Sequence, residues 1–334
     1  MDTLTALLEG PKARSAFFIK SVFTPPWAVR IEDRAPLSVM TTVNGSAWLL
    51  PDGGEPVLVE PGEAVLVRGP DPYTVGDDRD TPVQIRVGPD QRCSRVDDGE
   101  DVSDSMALGV RTWGEEAGSV VLLSGTYQEP GEIGSRLLDA LPRVLVGPVD
   151  PSLVTLLGGE ISRSEPAQDV VLGRLLDLLV IGVVRDWLAE RGGAESDPVT
   201  GPALRLLHEN PAHGWTVESL ARKVGVSRAA LARRFTELVG EPPMTYLTGW
   251  RLALAADLLR DPSTTLASAA HQVGYSSAFA LSTAFKRVRG ISPRQFRAGA
   301  PRRSAQSRSW AASYGYKRQA PMVPPHPSGP GARQ

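Results

Sequence analysis

Two stretches of this chain carry the same punctuation. Residues 216–243 read TVESLARKVGVSRAALARRFTELVGEPP, and residues 265–293 read TLASAAHQVGYSSAFALSTAFKRVRGISP. Ala221, Val224 and Gly225 return 49 positions later as Ala270, Val273 and Gly274; Leu231, Phe235, Leu238, Gly240 and Pro243 return 50 positions later as Leu281, Phe285, Val288, Gly290 and Pro293. The second copy therefore has one extra residue in its turn, near Ser276 or Ser277. Each copy predicts a short helix, the first over about 217–224, with a small residue where a second helix can cross closely and a glycine where the turn needs positive φ. Ser227 then caps a second helix, in which Leu231, Phe235 and Leu238 fall at i, i+4 and i+7 and are expected to share a core-facing side. One helix-turn-helix pattern alone is a weak signal. Two in tandem, with matched core and punctuation, point to a DNA reader.

Charge says which part of the chain suits a phosphate backbone. Residues 1–200 hold 17 Lys and Arg against 32 Asp and Glu, residues 201–300 hold 13 against 6, and residues 301–334 hold 6 against none. An acidic neighbour disfavours indiscriminate adhesion to DNA. A membrane partner finds no support: the most apolar run, 178–184, is far short of the ~20 residues a spanning helix needs. The opening MDTLTALLEGPKA lacks the basic start and apolar core of a leader, so a cytoplasmic protein is expected. Cys93 is the only cysteine, which excludes an intrachain disulfide and a four-cysteine zinc site.

From about residue 15 to 127, β-rich runs such as AFFIKSVF, SAWLL, PVLVE, EAVLVR, PVQIRV and SVVLLSGTY alternate with turns rich in Gly, Pro and Asp. They predict an antiparallel barrel or jelly roll. A short helix around 135–141 and a last strand at 143–149 follow. Over Gln168–Arg191, Val171, Leu175, Leu178, Leu179 and Trp187 lie at largely helical spacings, and Val170, Leu172, Leu176, Val180, Ile181, Val183 and Val184 add a second apolar side. Such a helix either covers the barrel or joins two copies of the chain, and the two readings are compatible. The polar stretch 192–201 is the expected domain boundary, with a supporting helix at 202–210. Between the readers, Pro243 suits the first helical position, and Leu247, Trp250, Leu254 and Leu258 stripe a helix over 244–259. Its ~24 Å acts as a ruler, near the ~34 Å between successive major-groove faces. The domain plan is thus 1–166 barrel, 167–200 apolar helix and linker, 201–300 DNA-binding domain, and 301–334 a disordered basic tail.

With the Leu231 side turned to the core, Arg233 and Ala229 point away, Thr236 and Glu237 flank them, and Arg228 leads at the helix start. Arg228 and Arg233 are the expected base readers, since an arginine can hold guanine O6 and N7 with two bonds. Arg222, Lys223 and Arg234 are expected on phosphates. The second reader offers Ser276, Ser277, Phe279, Thr283, Lys286 and Arg287, with Ala278 and Thr283 where the first has Arg228 and Arg233. Phe279 is expected to press on a thymine methyl and Thr283 to make one hydrogen bond, while Lys286, Arg287 and Arg289 favour phosphates. Sequence choice is therefore expected to rest mainly with the first reader.

The segments LARKVGVSRAALARRF, GEPPMTYLTGWRLALAADLL, VGYSS and AFKRVRGISPRQFR, spanning about 201–297, resemble the DNA-binding domain of the AraC/XylS family of bacterial transcription regulators. Upstream, Pro61-Gly62-Glu63 leading into AVLVRGPDPYTV resembles the second motif of a cupin, with Tyr73 at the metal-binding histidine and Met40 where many relatives carry the first. The chain has no histidine before His208. The resemblance implies a sensing barrel ahead of two readers joined by a long helix. Duplex DNA, a second copy of the chain, RNA polymerase and an unidentified small-molecule effector are the partners it implies. No cofactor or metal is expected, because a metal-dependent cupin needs imidazole ligands. Three rivals stand against a regulator. A cupin oxygenase or isomerase lacks its histidines, a DNA-repair alkyltransferase lacks a reactive context at Arg92-Cys93-Ser94, and a nucleoid-type protein would bind without sequence choice.

Overall fold

The computed structural model describes residues 16–127, 138, 141–191, 194 and 197–299. The helix expected at 135–141 lies almost wholly outside the described residues, and the tail 301–334 lies entirely outside them. The N-terminal half is two facing sheets. One has seven strands in the order β10 (Ala107–Gly109), β11 (Thr112–Gly114), β1 (Ala16–Phe23), β12 (Val120–Tyr127), β3 (Leu37–Asn44), β6 (Glu63–Arg68), β13 (Val144–Pro148). The other has six, in the order β5 (Val57–Val59), β4 (Ala47–Pro51), β7 (Tyr73–Gly76), β2 (Ala28–Ile31), β8 (Ile85–Val87), β9 (Cys93–Arg95).

Strand β6 explains why EAVLVR reads as an unbroken apolar run. Val65 and Val67 point into the space between the sheets, where they meet Phe23, Trp27, Val29, Leu49, Val75 and Trp113. Ala64 and Leu66 point the other way, into a second core shared with Phe18, Val39, Leu123, helix α1 (Pro151–Ile161) and helix α2 (Gln168–Arg191). A sheet covered on both faces needs apolar residues at every position rather than at alternate ones. Helix α2 packs on this sheet through Leu172, Leu176, Leu179, Val180, Val183 and Val184, all buried. It is thus a helix that covers the barrel. Part of its other side stays in solvent: Val170, Val171 and Leu178 are exposed, as is Leu156 on α1.

Among the described residues the C-terminal half has seven helices: α3 (Thr200–Glu209), α4 (Val217–Lys223), α5 (Arg228–Val239), α6 (Pro243–Leu259), α7 (Leu266–Gln272), α8 (Ala278–Arg289) and α9 (Pro293–Gly299). Helix α6 starts with Pro243 at its first position. Its buried side is broader than the stripe expected: Leu254 and Leu258 are only half-buried, whereas Leu252, Ala253, Ala255, Ala256 and Leu259 are fully covered. Leu247 belongs to the core of the first unit, and Leu252, Ala255, Ala256 and Leu259 to that of the second. A helix flanked by two cores has more than one inward side. The buried His208 ring lies 4.1 Å from the Trp250 ring, joining α3 to α6.

Candidate nucleic-acid interface

Both readers are built by the same local devices. Thr216 accepts from the Ser219 amide at 3.0 Å and its own amide donates to the Ser219 hydroxyl at 2.9 Å, a reciprocal cap on α4. Thr265 accepts from the Ser268 amide at 3.1 Å in the second unit. Gly225 and Gly274 turn the chain with φ of 76° and 82°, and the next residue's amide reaches back to the first helix in each case, Val226 to Ala221 and Tyr275 to Ala270. Ser227 and Ser277 then cap α5 and α8, accepting from Ala230 and Ala280 at 3.2 and 3.1 Å. The extra residue of the second turn is Ser276, since it alone separates Tyr275 from the cap at Ser277. The repeat runs further than the motif does: Phe235 meets Tyr246 edge to face at 5.7 Å, and Phe285 meets Phe296 likewise at 5.5 Å.

Leu231, Phe235, Leu281 and Phe285 are completely buried. The third member of each expected core trio is not. Leu238 is 39% exposed and Val288 54%. In the first unit Val239 packs against the core instead, because at the last turn the contacting side has moved round before Gly240 redirects the chain.

The outward side of α5 carries Arg228, Ala229, Arg233 and Thr236, all exposed. Neither Arg228 nor Arg233 has a hydrogen-bond or ion-pair partner among the described residues. Arg234, expected on phosphate, is instead turned to the linker, where its Nε and Nη2 donate to Asp197 Oδ2 at 2.9 and 2.8 Å. The other carboxyl oxygen of Asp197 accepts from the Val199 and Thr200 amides at 3.1 and 2.8 Å, where α3 begins. Burial pushes this carboxyl up, but the Thr200 amide, the Arg234 guanidinium and the Val199 amide outweigh it and hold it down at about 2. The end of the expected domain boundary is therefore tied to the first reader. No periodicity marks Asp197, whose role depends on a partner 37 residues away.

On α8 the corresponding positions are Ala278, Phe279, Thr283 and Lys286. Phe279 is 81% exposed, and Ser276, Ser277, Thr283, Lys286 and Arg287 are exposed around it. The expected hydrogen bond from Thr283 to a base has a competitor: its hydroxyl donates to the Phe279 carbonyl at 3.0 Å. Thr236 donates to Ala232 in the same way at 2.8 Å. The units also differ beneath the surface. A Cβ on Gly225 would meet nothing within 4 Å, whereas one on Gly274 would lie 2.6 Å from the Ala212 Cα, in the turn that leads into α4. Arg251 of α6 holds that same turn, donating to the carbonyls of Pro211 and His213 at 2.6 and 2.7 Å.

In the barrel, Met40 is buried between the sheets and Tyr73 packs with it. Burial, and then the Asp33 carboxylate, raise the Tyr73 phenol against a hydrogen bond to Ser38, so both positions present groups suited to packing rather than to holding an ion. Cys93 is buried, and its thiol is pushed up to about 11 by burial and by Asp101. Among the described residues no helix is long and apolar enough to cross a membrane.

A strand-rich domain followed by a paired helix-turn-helix module defines a class of two-domain DNA-binding proteins. Residues 2–189 match the family described as a cupin, and residues 220–299 match a helix-turn-helix domain. A putative AraC-like transcription regulator of Streptomyces lividans is 34% identical over 89% of this chain and 98% of its own length. One from Streptomyces antibioticus is 33% identical over the same shares, and the HTH-type transcriptional regulator AlkR of Acinetobacter baylyi is 28% identical over 89% of this chain and 99% of its own. The chain belongs to the AraC-like transcription regulators and is a DNA-binding regulator with a cupin domain.

Proposed function

We propose that this regulator selects its operator mainly with α5, reading bases with Arg228 and Arg233, while Ser227, Ala229 and Thr236 line the same groove. The observation that carries this is the pair of exposed arginines, without partners among the described residues, on the outward side of a capped helix. Helix α8 supplies Ser276, Ser277, Phe279 and Thr283, and Lys286 and Arg287 bind the phosphates beside it. Arg234 joins the phosphate contacts with the part of its guanidinium that Asp197 does not hold. The test is selection of bound duplexes from a random pool by the full chain, followed by gel shifts against bulk competitor DNA. A preferred site that resists competition is expected; binding without sequence choice would overturn the reading in favour of a nucleoid-type protein.

The protein acts in the cytoplasm as a homodimer, as a regulator rather than an enzyme, and contacts RNA polymerase from the bound operator. The exposed Val170, Val171 and Leu178 on α2 support the dimer, and Leu178→Asp is expected to shift the full chain to monomer in sedimentation. The barrel is the regulatory half and needs no metal. Two open clefts, of about 300 Å³ beside Thr42 and Pro151 and about 330 Å³ beside Pro51 and Val144, have the size for a small effector.

A further inference from the structure

We infer that the second reader selects thymine by its 5-methyl group, with the Phe279 ring and the Thr283 methyl as the selecting surface. This rests on the reading that the outward sides of α5 and α8 enter successive major grooves. Single exposed apolar residues are common on proteins and mean little alone. Phe279 differs in where it stands. On a helix advancing 100° per residue it points about 160° away from Leu281 and about 120° away from Phe285, both fully buried. Thr283 and Lys286 stand within about 40° of it, at i+4 and i+7. It is thus at the centre of the side offered to DNA.

Two hydroxyls beside it are engaged by the backbone. The Thr283 hydroxyl hydrogen is spent on the Phe279 carbonyl, so what Thr283 adds to the contact is its methyl. The Ser277 hydroxyl holds the Ala280 amide, and Ala278 and Ala280 are small and half-buried. No charged donor stands where Arg233 stands in the first reader. The cations come later in the helix, at Lys286 and Arg287, suited to the phosphates that flank a groove. A base pair shows hydrogen-bond donors and acceptors in the major groove, and its single apolar group is the thymine methyl. An apolar centre with its cations toward one end of the helix is complementary to that group.

The experiment uses the full chain and the site obtained by selection. Each thymine is replaced singly by deoxyuridine, which removes the methyl and leaves every hydrogen-bonding group. Affinity is measured for the wild type and for Phe279→Ser, a change at an exposed position that leaves the core intact. One or two thymines are expected to lose about three- to fivefold on replacement, as burial of a single methyl-sized group implies. They should lie about 10 base pairs from the position that Arg233→Ala relaxes. In Phe279→Ser those same thymines should become indifferent to the replacement. The inference is overturned if no deoxyuridine weakens wild-type binding, or if Phe279→Ser keeps the full penalty. It is also overturned if Phe279→Ser weakens binding while the wild type ignores the methyl, which would make the ring a wedge between base steps. A selection that returns no preferred site would overturn the operator reading and this inference with it, whereas a preferred site without methyl dependence would overturn the inference alone.

Discussion

The two readers share their frame and differ in what hangs on it. Caps at Ser227 and Ser277, turns at Gly225 and Gly274, and paired rings at Phe235–Tyr246 and Phe285–Phe296 recur at equivalent places. Outside that frame, Arg233 faces Thr283, Ala229 faces Phe279, and Arg234, held by Asp197, corresponds to the buried Ala284. The difference teaches that a duplicated unit keeps the residues that answer to its own backbone and releases those that answer to a partner. The first unit is tied to the linker and polar toward DNA; the second is tied to the first unit and apolar toward DNA.

The sharpest way to break this comparison is at the two turns. Gly274→Ala should cost about 2–4 kcal/mol, from left-handed strain of ~1–2 kcal/mol plus overpacking against the Ala212 backbone. Gly225→Ala should cost only the strain, about 1 kcal/mol. Chemical denaturation of the helical half would check both, and equal losses would mean the turns are equivalent. Next in size, Arg233→Ala should weaken operator binding by about 1–3 kcal/mol and relax one base position in a substitution scan. If the bases under α8 tolerated change as poorly as those under α5, the inequality of the readers would be wrong.

A smaller effect is expected at the linker. Asp197→Ala removes the acceptor for the Val199 and Thr200 amides where α3 begins and should cost about 1 kcal/mol. The folded carboxyl sits at about 2, below its unfolded value near ~3.9. Its contribution is therefore complete above about pH 4 and is lost as the pH falls through about 2. The variant should accordingly show a flatter acid limb in stability against pH, a change with no counterpart in the second unit. Smallest of all, Lys286→Ala should weaken every duplex alike and lower the salt slope by about one ion, which titration at several salt concentrations would read.

Much of this was legible in the sequence because it is local. Gly225, Gly274, Ser227 and Ser277 announce their roles within a turn of chain, and the spacing of Leu231 and Phe235 orients each helix correctly. Leu238 and Val288 misled for the opposite reason: their angle was right, but burial needs a neighbour, and periodicity carries no information about where a neighbour ends. The Asp197–Arg234 pair, and the nesting of Gly274 on Ala212, join residues 37 and 62 positions apart. Only the folded chain brings them together. In the barrel, quoted runs such as AFFIKSVF and EAVLVR matched strands, while β9, β10 and β11, three residues each, are too short to leave a period.

Helix α6 has a consequence for how such proteins can be recombined. It lends Leu247 to one core and Leu252, Ala255, Ala256 and Leu259 to the other, so the chain has no seam between its readers. A hybrid regulator assembled from two parents cannot exchange one DNA-reading half at the glycine turn after α5 and expect both halves to close. The interchangeable parcel is the whole run from α3 to α9, and new operator specificity within it has to come by repainting outer faces one side chain at a time.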